Sequence, residues 1–202
     1  MEEKITYTSD GIAIEGLLQR ISEKGVVVTH PHPLYGGDMY NPVVASIIKA
    51  FEINGFSTLR FNFRGVGHSQ GSHDYGTGER RDVINALSFL TKQGITECAL
   101  AGYSFGAWVN ANMSCHEAAP ADTIMVSPPV AFMDFSTIKH QPFLKLVVGG
   151  GRDEIGPPKT IEKLLPDWNS NARLEILQSA DHFYSGCLDD LTTVIDNYIR
   201  ST

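Results

Sequence analysis

The sequence has few of the features that mark membrane proteins or proteins that bind polyanions. None of its apolar runs approaches the roughly 18–20 residues that a membrane-spanning helix needs. Its 16 Lys and Arg against 23 Asp and Glu give a net charge of -7, and the basic residues form no run. We therefore expect neither nucleic acid nor a membrane surface as a partner.

Cysteine is also scarce. Cys98, Cys115 and Cys187 have no zinc-binding spacing, and their odd number argues against a disulfide framework. The first residues, Met1 to Lys4, lack the basic-then-apolar pattern of a secretory signal peptide. These observations predict reduced thiols in a cytoplasmic protein.

The composition is that of a globular protein with a sizeable core. Of the 202 residues, 42% are hydrophobic and 19% are charged. No repeat, linker or low-complexity tract interrupts them. We expect a single domain over residues 1–202.

Predicted strands and helices alternate along most of the chain. Asp10-Gly11 separates two strand-like runs, 4–9 and 12–19, which predicts an antiparallel hairpin at a sheet edge. The later predicted strands are 25–29, 56–61, 95–101, 123–126, 143–148 and 173–177. The predicted helices are 41–54, 79–92, 105 to about 116, 157–165 and 188–200. This order is typical of an α/β fold with a mostly parallel, twisted sheet and helices on both faces. The carboxyl ends of its parallel strands meet at one edge, where ligands usually bind.

The sequence Gly-Tyr-Ser-Phe-Gly, centred on Ser104, links a predicted strand to a predicted helix. Gly-x-Ser-x-Gly in that context is typical of a nucleophile elbow, a sharp turn that lifts the serine hydroxyl clear of the sheet. Glycine is needed on either side because a side chain there would collide with the strand or the helix. The motif also occurs by chance, so a flexible turn is the alternative.

A serine nucleophile needs a histidine base and an acid that orients the base, here in the chain order Ser, acid, His. His182 lies between the last predicted strand and the last helix, at the expected edge of the sheet. His116, late in the predicted elbow helix, and His140, before a strand begins, are in the wrong places. We assign those two to the surface and His182 to the base.

Asp153 follows the predicted strand 143–148 and is the preferred acid. Its neighbour Glu154 would point elsewhere. Asp134 comes one strand earlier and is the second candidate. Asp181 is adjacent to His182 in sequence, so its carboxylate does not reach the imidazole nitrogen opposite the serine. Capping of a turn is the alternative role for Asp153.

Residues 30–37 read His-Pro-His-Pro-Leu-Tyr-Gly-Gly and follow the first predicted parallel strand. In a serine hydrolase this loop supplies one backbone N–H to the developing oxyanion, and the residue after the nucleophile, Phe105, supplies the other. Proline has no N–H. His32 and Leu34 therefore remain as the candidates for the donor in this loop.

Two pairs of histidines need a separate interpretation. His30-x-His32 is also compatible with a metal pair, but no acidic third ligand is nearby in the sequence, and we expect no metal. His68 and His73 lie in a segment rich in Gly and Ser, which predicts a solvated loop.

Together these motifs resemble the α/β-hydrolases, specifically the small lidless bacterial hydrolases with a His-Pro-His-Pro loop that are grouped beside the dienelactone hydrolases. The resemblance covers almost the whole chain, with its marks at residues 30–37, 60–69, 102–106, 153–155 and 181–183. It implies the α/β-hydrolase fold, a triad of Ser104, Asp153 and His182, and a structural turn at residues 64–69.

The resemblance also implies an activity. That activity is hydrolysis of small-molecule carboxylic esters or thioesters through an acyl-enzyme, without a cofactor. A peptidase or amidase on the same triad is one alternative. A catalytically silent binding module that kept the fold is another.

Residues 128–142 are too few to form the helical cap that many members of this family carry. We therefore expect an open, shallow site with an apolar rim. The expected contributors from this connection are Phe132, Met133 and Phe135. Tyr35 and Tyr103 are expected to add to the rim, with packing beneath the elbow as the alternative for Tyr103.

Overall fold

The computed structural model describes residues 1–113 and 119–201. The strands are β1 (Glu3–Ser9), β2 (Ile12–Gln19), β3 (Lys24–Thr29), β4 (Ser57–Phe61), β5 (Glu97–Tyr103), β6 (Thr123–Val126), β7 (Leu144–Gly150) and β8 (Arg173–Leu177). The α-helices are α1 (Pro42–Ile53), α2 (Thr77–Lys92), α3 (Phe105–Ala111), α4 (Pro158–Asn169) and α5 (Leu188–Arg200).

The strands form one eight-stranded sheet in the order β1-β2-β4-β3-β5-β6-β7-β8. β1 and β2 make the predicted antiparallel hairpin, and β2 pairs antiparallel with β4. The remaining pairs are parallel. β3 and β5 lie at the centre and are buried along almost their whole length, as their continuous apolar runs predict. The predicted fold class is confirmed.

Helices cover both faces of the sheet because each has one apolar stripe. α1 and α5 pack together on one face, where Ile47, Phe51 and Ile195 join a core cluster with the sheet residues. α2 and α3 cover the other face through residues such as Val83 and Val109. Asn41 caps α1 by accepting the N–H of Val43 at 2.9 Å, and Pro42 follows as the first helical residue, as predicted.

Two helices differ from their predicted bounds. α2 begins at Thr77, two residues before the predicted start, because the buried Glu79 carboxylate accepts the N–H of Gly76 at 2.7 Å and caps the helix there. α4 was predicted to end before Pro166 but continues to Asn169. Trp168, beyond the proline, is buried against Phe135 with ring centroids 5.3 Å apart, and this packing holds the last turn. The predicted end of α3 near His116 lies outside the described residues.

No helix in the described part of the chain is long and apolar enough to cross a membrane.

The connection between β6 and β7, all of it described, contains turns but no helix or strand from residue 128 to residue 142. It therefore forms no cap over the sheet edge. Phe132 is 64% exposed, as expected of a rim residue, but Phe135 is only 3% exposed. The prediction that Phe135 belongs to the rim is wrong, because its ring packs into the core beside Trp168.

This pair of phenylalanines, three positions apart, gives a matched test of the packing. Phe135→Ala is expected to lower the free energy of unfolding by about 3–5 kcal/mol, since it leaves a cavity in a filled core. Phe132→Ala is expected to change it by no more than about 0.5 kcal/mol, because the ring is exposed. Urea unfolding followed by far-UV circular dichroism measures both values. Equal losses would contradict the assignment of Phe135 to the core.

Candidate active site

Ser104 occupies the sharp turn between β5 and α3. Its backbone angles, φ 53° and ψ -118°, lie in a region that non-glycine residues rarely adopt. The turn is held from both sides, since the Ser104 N–H donates to Val126 O at 2.9 Å and Ser104 O accepts from Trp108 N at 3.1 Å. The turn places the hydroxyl at the carboxyl edge of the sheet and the first free N–H of α3, that of Phe105, beside it.

Ser104 is flanked by glycines, at positions 102 and 106, because other backbone segments approach the chain closely there. A Cβ on Gly102 would lie 2.7 Å from Ala107 N, and a Cβ on Gly106 would lie 2.6 Å from Thr29 O. Both distances are shorter than real contacts of a Cβ allow. Glycine at these positions therefore lets β5, α3 and the end of β3 meet closely enough to form the elbow.

His182 and Asp153 complete a hydrogen-bonded row with Ser104. His182 Nε2 lies 3.0 Å from Ser104 Oγ, and His182 Nδ1 lies 2.9 Å from Asp153 Oδ2 and 3.0 Å from Oδ1. All three residues are buried. The structure therefore brings together the serine, the histidine and the first-choice acid, which come from the ends of β5, β8 and β7.

Asp153 stays an acceptor in this row although it is buried. Burial raises the pKa of its carboxyl, but the hydrogen bond and charge of His182, with further hydrogen bonds from the Gly156 N–H and the Ser127 hydroxyl, outweigh burial and hold the pKa below its usual range. An ionised Asp153 keeps the proton on Nδ1 of His182. The lone pair on Nε2 then faces the Ser104 hydroxyl.

The backbone of His182 is fixed from below. The Tyr103 hydroxyl donates to His182 O at 2.9 Å, and the Tyr103 ring is buried beneath the elbow, which was the alternative placement for this residue. The Tyr184 hydroxyl lies 3.1 Å from Ser127 Oγ, so it also orders the group that donates to Asp153. Sequence reasoning missed Ser127 and Tyr184. The available signal was that Ser127 directly follows β6 at the same edge of the sheet.

The other acid candidates have local roles. Asp134 accepts the N–H of Ser136 at 2.8 Å within an exposed turn. Asp181 accepts the N–H groups of Phe183 and Ser185, both at 3.0 Å, and so shapes the loop that carries His182. Glu154 is exposed, as is His140, in agreement with their expected positions away from the site. His116 lies outside the described residues.

In the loop after β3, the two candidate oxyanion donors differ in their surroundings. Residues Pro33–Tyr35 form a single 3-10 turn, and the Leu34 N–H donates to His32 Nδ1 at 3.2 Å. The Leu34 N–H is therefore already used within the loop. The His32 ring lies against Phe105, with centroids 4.6 Å apart, so His32 sits next to the nucleophile turn.

His30 is a structural residue of the same loop. It is fully buried, its Nδ1 lies 2.7 Å from Pro31 O, and its Nε2 accepts the N–H of Phe63 at 3.0 Å. Burial lowers the pKa of His30 to about 4, so the ring is neutral near pH 7. Since both ring nitrogens are used, His30 ties the loop to the end of β4. It has no lone pair left with which to bind a metal ion together with His32.

The prediction that His73 lies in a solvated loop is wrong, whereas its companion His68 is exposed. The His73 side chain is almost buried, with Nδ1 2.9 Å from Oε1 of the buried Glu79. Its ring packs 5.2 Å from that of His32, measured between centroids. His73 thus supports the back of the His32 loop.

Residues 64–69 form a structural turn, as predicted. Arg64 donates from Nη2 to Asp82 Oδ1 at 2.8 Å, and the Ser69 hydroxyl donates to Asn62 O at 2.7 Å. Asp82 is buried, so the pair joins α2 to the chain that leaves β4. Neither Arg64 nor Ser69 lines the cleft described next.

An open cleft of about 330 Å³ lies over Ser104 and His182. Predicted rim residues Tyr35, Phe132 and Met133 line it, and Tyr103 borders it from below. The full lining is Pro31, His32, Tyr35, Gly36, Gly37, Asn41, Tyr103, Ser104, Phe105, Pro129, Phe132, Met133, Ile155, His182 and Phe183. Sequence reasoning missed Phe183, although its place beside His182 was the available signal.

A buried Ser-His-Asp row on an elbow, at the carboxyl edge of this sheet, defines the class of α/β serine hydrolases. No family model matches the chain. An α/β serine hydrolase homologue from Coxiella burnetii is 31% identical, with a TM-score of 0.90 over 97% of this chain and 96% of that one. The chain belongs to the α/β-hydrolase superfamily.

Two further proteins are similar to this chain. A serine hydrolase without a lid from Xanthomonas campestris is 28% identical, with a TM-score of 0.91 over 99% of this chain and 94% of that one. An uncharacterised protein of Rickettsia prowazekii is 33% identical over 183 residues, which are 86% of this chain and 77% of that protein. The similarity to the Xanthomonas protein supports a hydrolase, and the β6–β7 connection of this chain likewise forms no cap.

The neutral, buried state of His30 predicts how stability depends on pH. Its pKa is about 4 in the folded chain and 6.5 when unperturbed, so acid protonates the unfolded chain first. The stabilisation is complete above about pH 6.5 and falls as the pH drops towards 4, by about 2–3 kcal/mol from this residue alone.

Urea unfolding at about pH 7 and about pH 4.5, for the wild type and His30→Gln, measures this contribution. Glutamine keeps a donor and an acceptor but has no group that titrates in this range. The drop in the free energy of unfolding is expected to be smaller in the variant. The same drop in both proteins would contradict a neutral buried His30.

Proposed function

We propose that the chain hydrolyses carboxylic esters or thioesters with a catalytic triad of Ser104, His182 and Asp153. The observation that carries the proposal is the buried row of hydrogen bonds from Ser104 Oγ through the His182 ring to Asp153, at the floor of an open cleft. The order of the three groups along this row is the one that acyl transfer needs.

The reaction begins when Ser104 Oγ attacks the carbonyl carbon of the substrate. His182 Nε2 takes the hydroxyl proton, and the ionised Asp153 stabilises the imidazolium that forms. The same histidine then gives the proton to the leaving alkoxide or thiolate as the tetrahedral intermediate breaks down. In the second step His182 takes a proton from water, which attacks the acyl-enzyme, and then returns that proton to Ser104 Oγ as the bond between Oγ and the acyl group breaks and the acid leaves.

The oxyanion of each intermediate is held by backbone N–H groups. Phe105, the first residue of α3, offers one of them. We assign the other to His32, because the Leu34 N–H already donates to the His32 ring. The contacts of the His32 ring with Phe105 and His73 keep this loop in place.

The proposal includes no cofactor and no metal, since the triad and the N–H donors supply every proton transfer and charge contact in these steps. We further place the chain among the lidless hydrolases with a His-Pro-His-Pro loop, related to the dienelactone hydrolases. As part of the same proposal, the chain is a single cytoplasmic domain acting on a small molecule.

The two rival functions remain open to experiment. A peptidase or amidase would use the same triad, but the described lining of the open cleft is mostly apolar or aromatic and includes no Lys, Arg, Asp or Glu to hold a charged end of a peptide. A silent binding module would gain nothing from a serine held at a strained φ of 53° against a buried histidine. These observations favour the esterase.

Substitutions of Ser104 and Asp153 test the proposed triad. Ser104→Ala is expected to lower kcat for p-nitrophenyl acetate by roughly 10⁴–10⁶, because the hydroxyl is the nucleophile. Asp153→Asn is expected to lower kcat by about 10⁴ or somewhat less, because the amide favours the wrong tautomer of His182.

Asp134→Asn and Asp181→Asn are the matched controls, and each is expected to keep most of the activity. Thermal unfolding of each variant checks that the fold is intact. More than a few per cent of wild-type activity in Ser104→Ala, or a greater loss from Asp134→Asn than from Asp153→Asn, would contradict the assignment.

A further inference from the structure

Aromatic side chains gather at the mouth of the cleft. Tyr35 is 75% exposed, Phe132 64% and Phe183 65%, and all three line the cleft over Ser104. They come from three separate segments: the loop after β3, the β6–β7 connection and the loop after β8. Exposed rings cost free energy unless something covers them, so their convergence on one site indicates a ligand.

The rings have an arrangement that suits a flat partner. Tyr35 and Phe132 meet edge to face, with centroids 6.2 Å apart and planes at 78°. The Phe183 ring stands at 89° to that of His182, with centroids 5.5 Å apart. Such perpendicular pairs leave ring faces and edges free, and aromatic groups prefer to pack on these by offset stacking or edge contacts.

The cleft also lacks formal charges that would recognise an ionic group. Among the described residues that line it there is no Lys, Arg, Asp or Glu. The net charge of -7 further disfavours an anionic substrate. The substrate group that packs against these rings is therefore expected to be uncharged.

From these observations we infer that the substrate is an uncharged ester carrying an aromatic ring, which packs against the exposed faces and edges of Tyr35 and Phe132 while Ser104 attacks the carbonyl. The inference rests on the proposed function and narrows its substrate class. An aliphatic chain would also cover the rim. A contact between two aromatic rings, however, strengthens binding by about 2- to 12-fold beyond the effect of the area that it buries. The test must therefore compare rings of equal carbon number.

Two matched pairs of esters isolate this gain. Methyl phenylacetate against methyl cyclohexylacetate places the ring on the acyl side, and benzyl acetate against cyclohexylmethyl acetate places it on the alcohol side. For each ester, kcat/KM from acid release is divided by the rate constant of hydroxide hydrolysis, which removes intrinsic reactivity. We expect the aromatic member of at least one pair to be preferred by about 3- to 10-fold.

Variants of the rim connect the preference to these rings. Phe132→Leu and Tyr35→Leu keep an apolar side chain but remove a ring, and each is expected to bring the preferred ratio close to one. Tyr40→Leu is the matched control, since Tyr40 is an exposed tyrosine that does not line the cleft. It is expected to keep the wild-type ratio.

Several results would overturn the inference. Equal normalised rates within both pairs would do so, as would a preference that survives both rim substitutions. Equal rates together with a dimer in sedimentation would mean that a second copy covers the rim instead. In each of these cases, turnover that Ser104→Ala abolishes leaves the proposed function standing. Absence of any ester turnover at Ser104 would overturn both proposals.

Discussion

The strained turn at Ser104 is the constraint on which the site depends. A serine at φ 53° is unfavourable by itself, of order 1–3 kcal/mol, and persists only because its surroundings hold it. The hydrogen bonds to β6 and within α3, and the absence of side chains at Gly102 and Gly106, hold it there. Because β3, β5 and β6 are parallel neighbours, the His32 loop after β3 and Ser127 after β6 leave the sheet at the same edge as this turn.

The electrostatics of the site follow from burial combined with complete hydrogen bonding. Asp153 is buried, yet its carboxylate accepts from His182 and from the N–H groups of Ile155 and Gly156, at 2.9 and 2.7 Å. A buried carboxylate without such donors would take up a proton and lose its function. The loop after β7 therefore does two things at once: it turns the chain and keeps the acid ionised.

Much of this arrangement is predictable from the sequence, because it depends on local patterns and chain order. The elbow motif, the alternation of strands and helices, and the position of His182 after the last strand are enough to predict the fold and the meeting of three distant residues. Asp153 was the preferred acid because it follows β7, and the structure places it against His182 rather than Asp134 or Asp181.

The rest depends on contacts that leave no local signal. Phe132 and Phe135 are the same residue type in the same connection, but the second ring packs into the core beside Trp168 at the end of α4. In the sequence His73 lies in a polar segment, but in the fold its side chain packs against Glu79 and the His32 ring. Sequence periodicity carries no information about such partners, since the stretch around His73 is neither helix nor strand.

The most direct measurement is stoichiometric labelling with a fluorophosphonate, followed by intact-mass analysis and peptide mapping. This reagent phosphonylates a serine only when a base activates it and an oxyanion site receives the phosphonyl oxygen. The proposed triad predicts one adduct per chain, on Ser104, and greatly slowed labelling in the His182→Ala variant. An unlabelled wild-type protein, or an adduct on another serine, would contradict it.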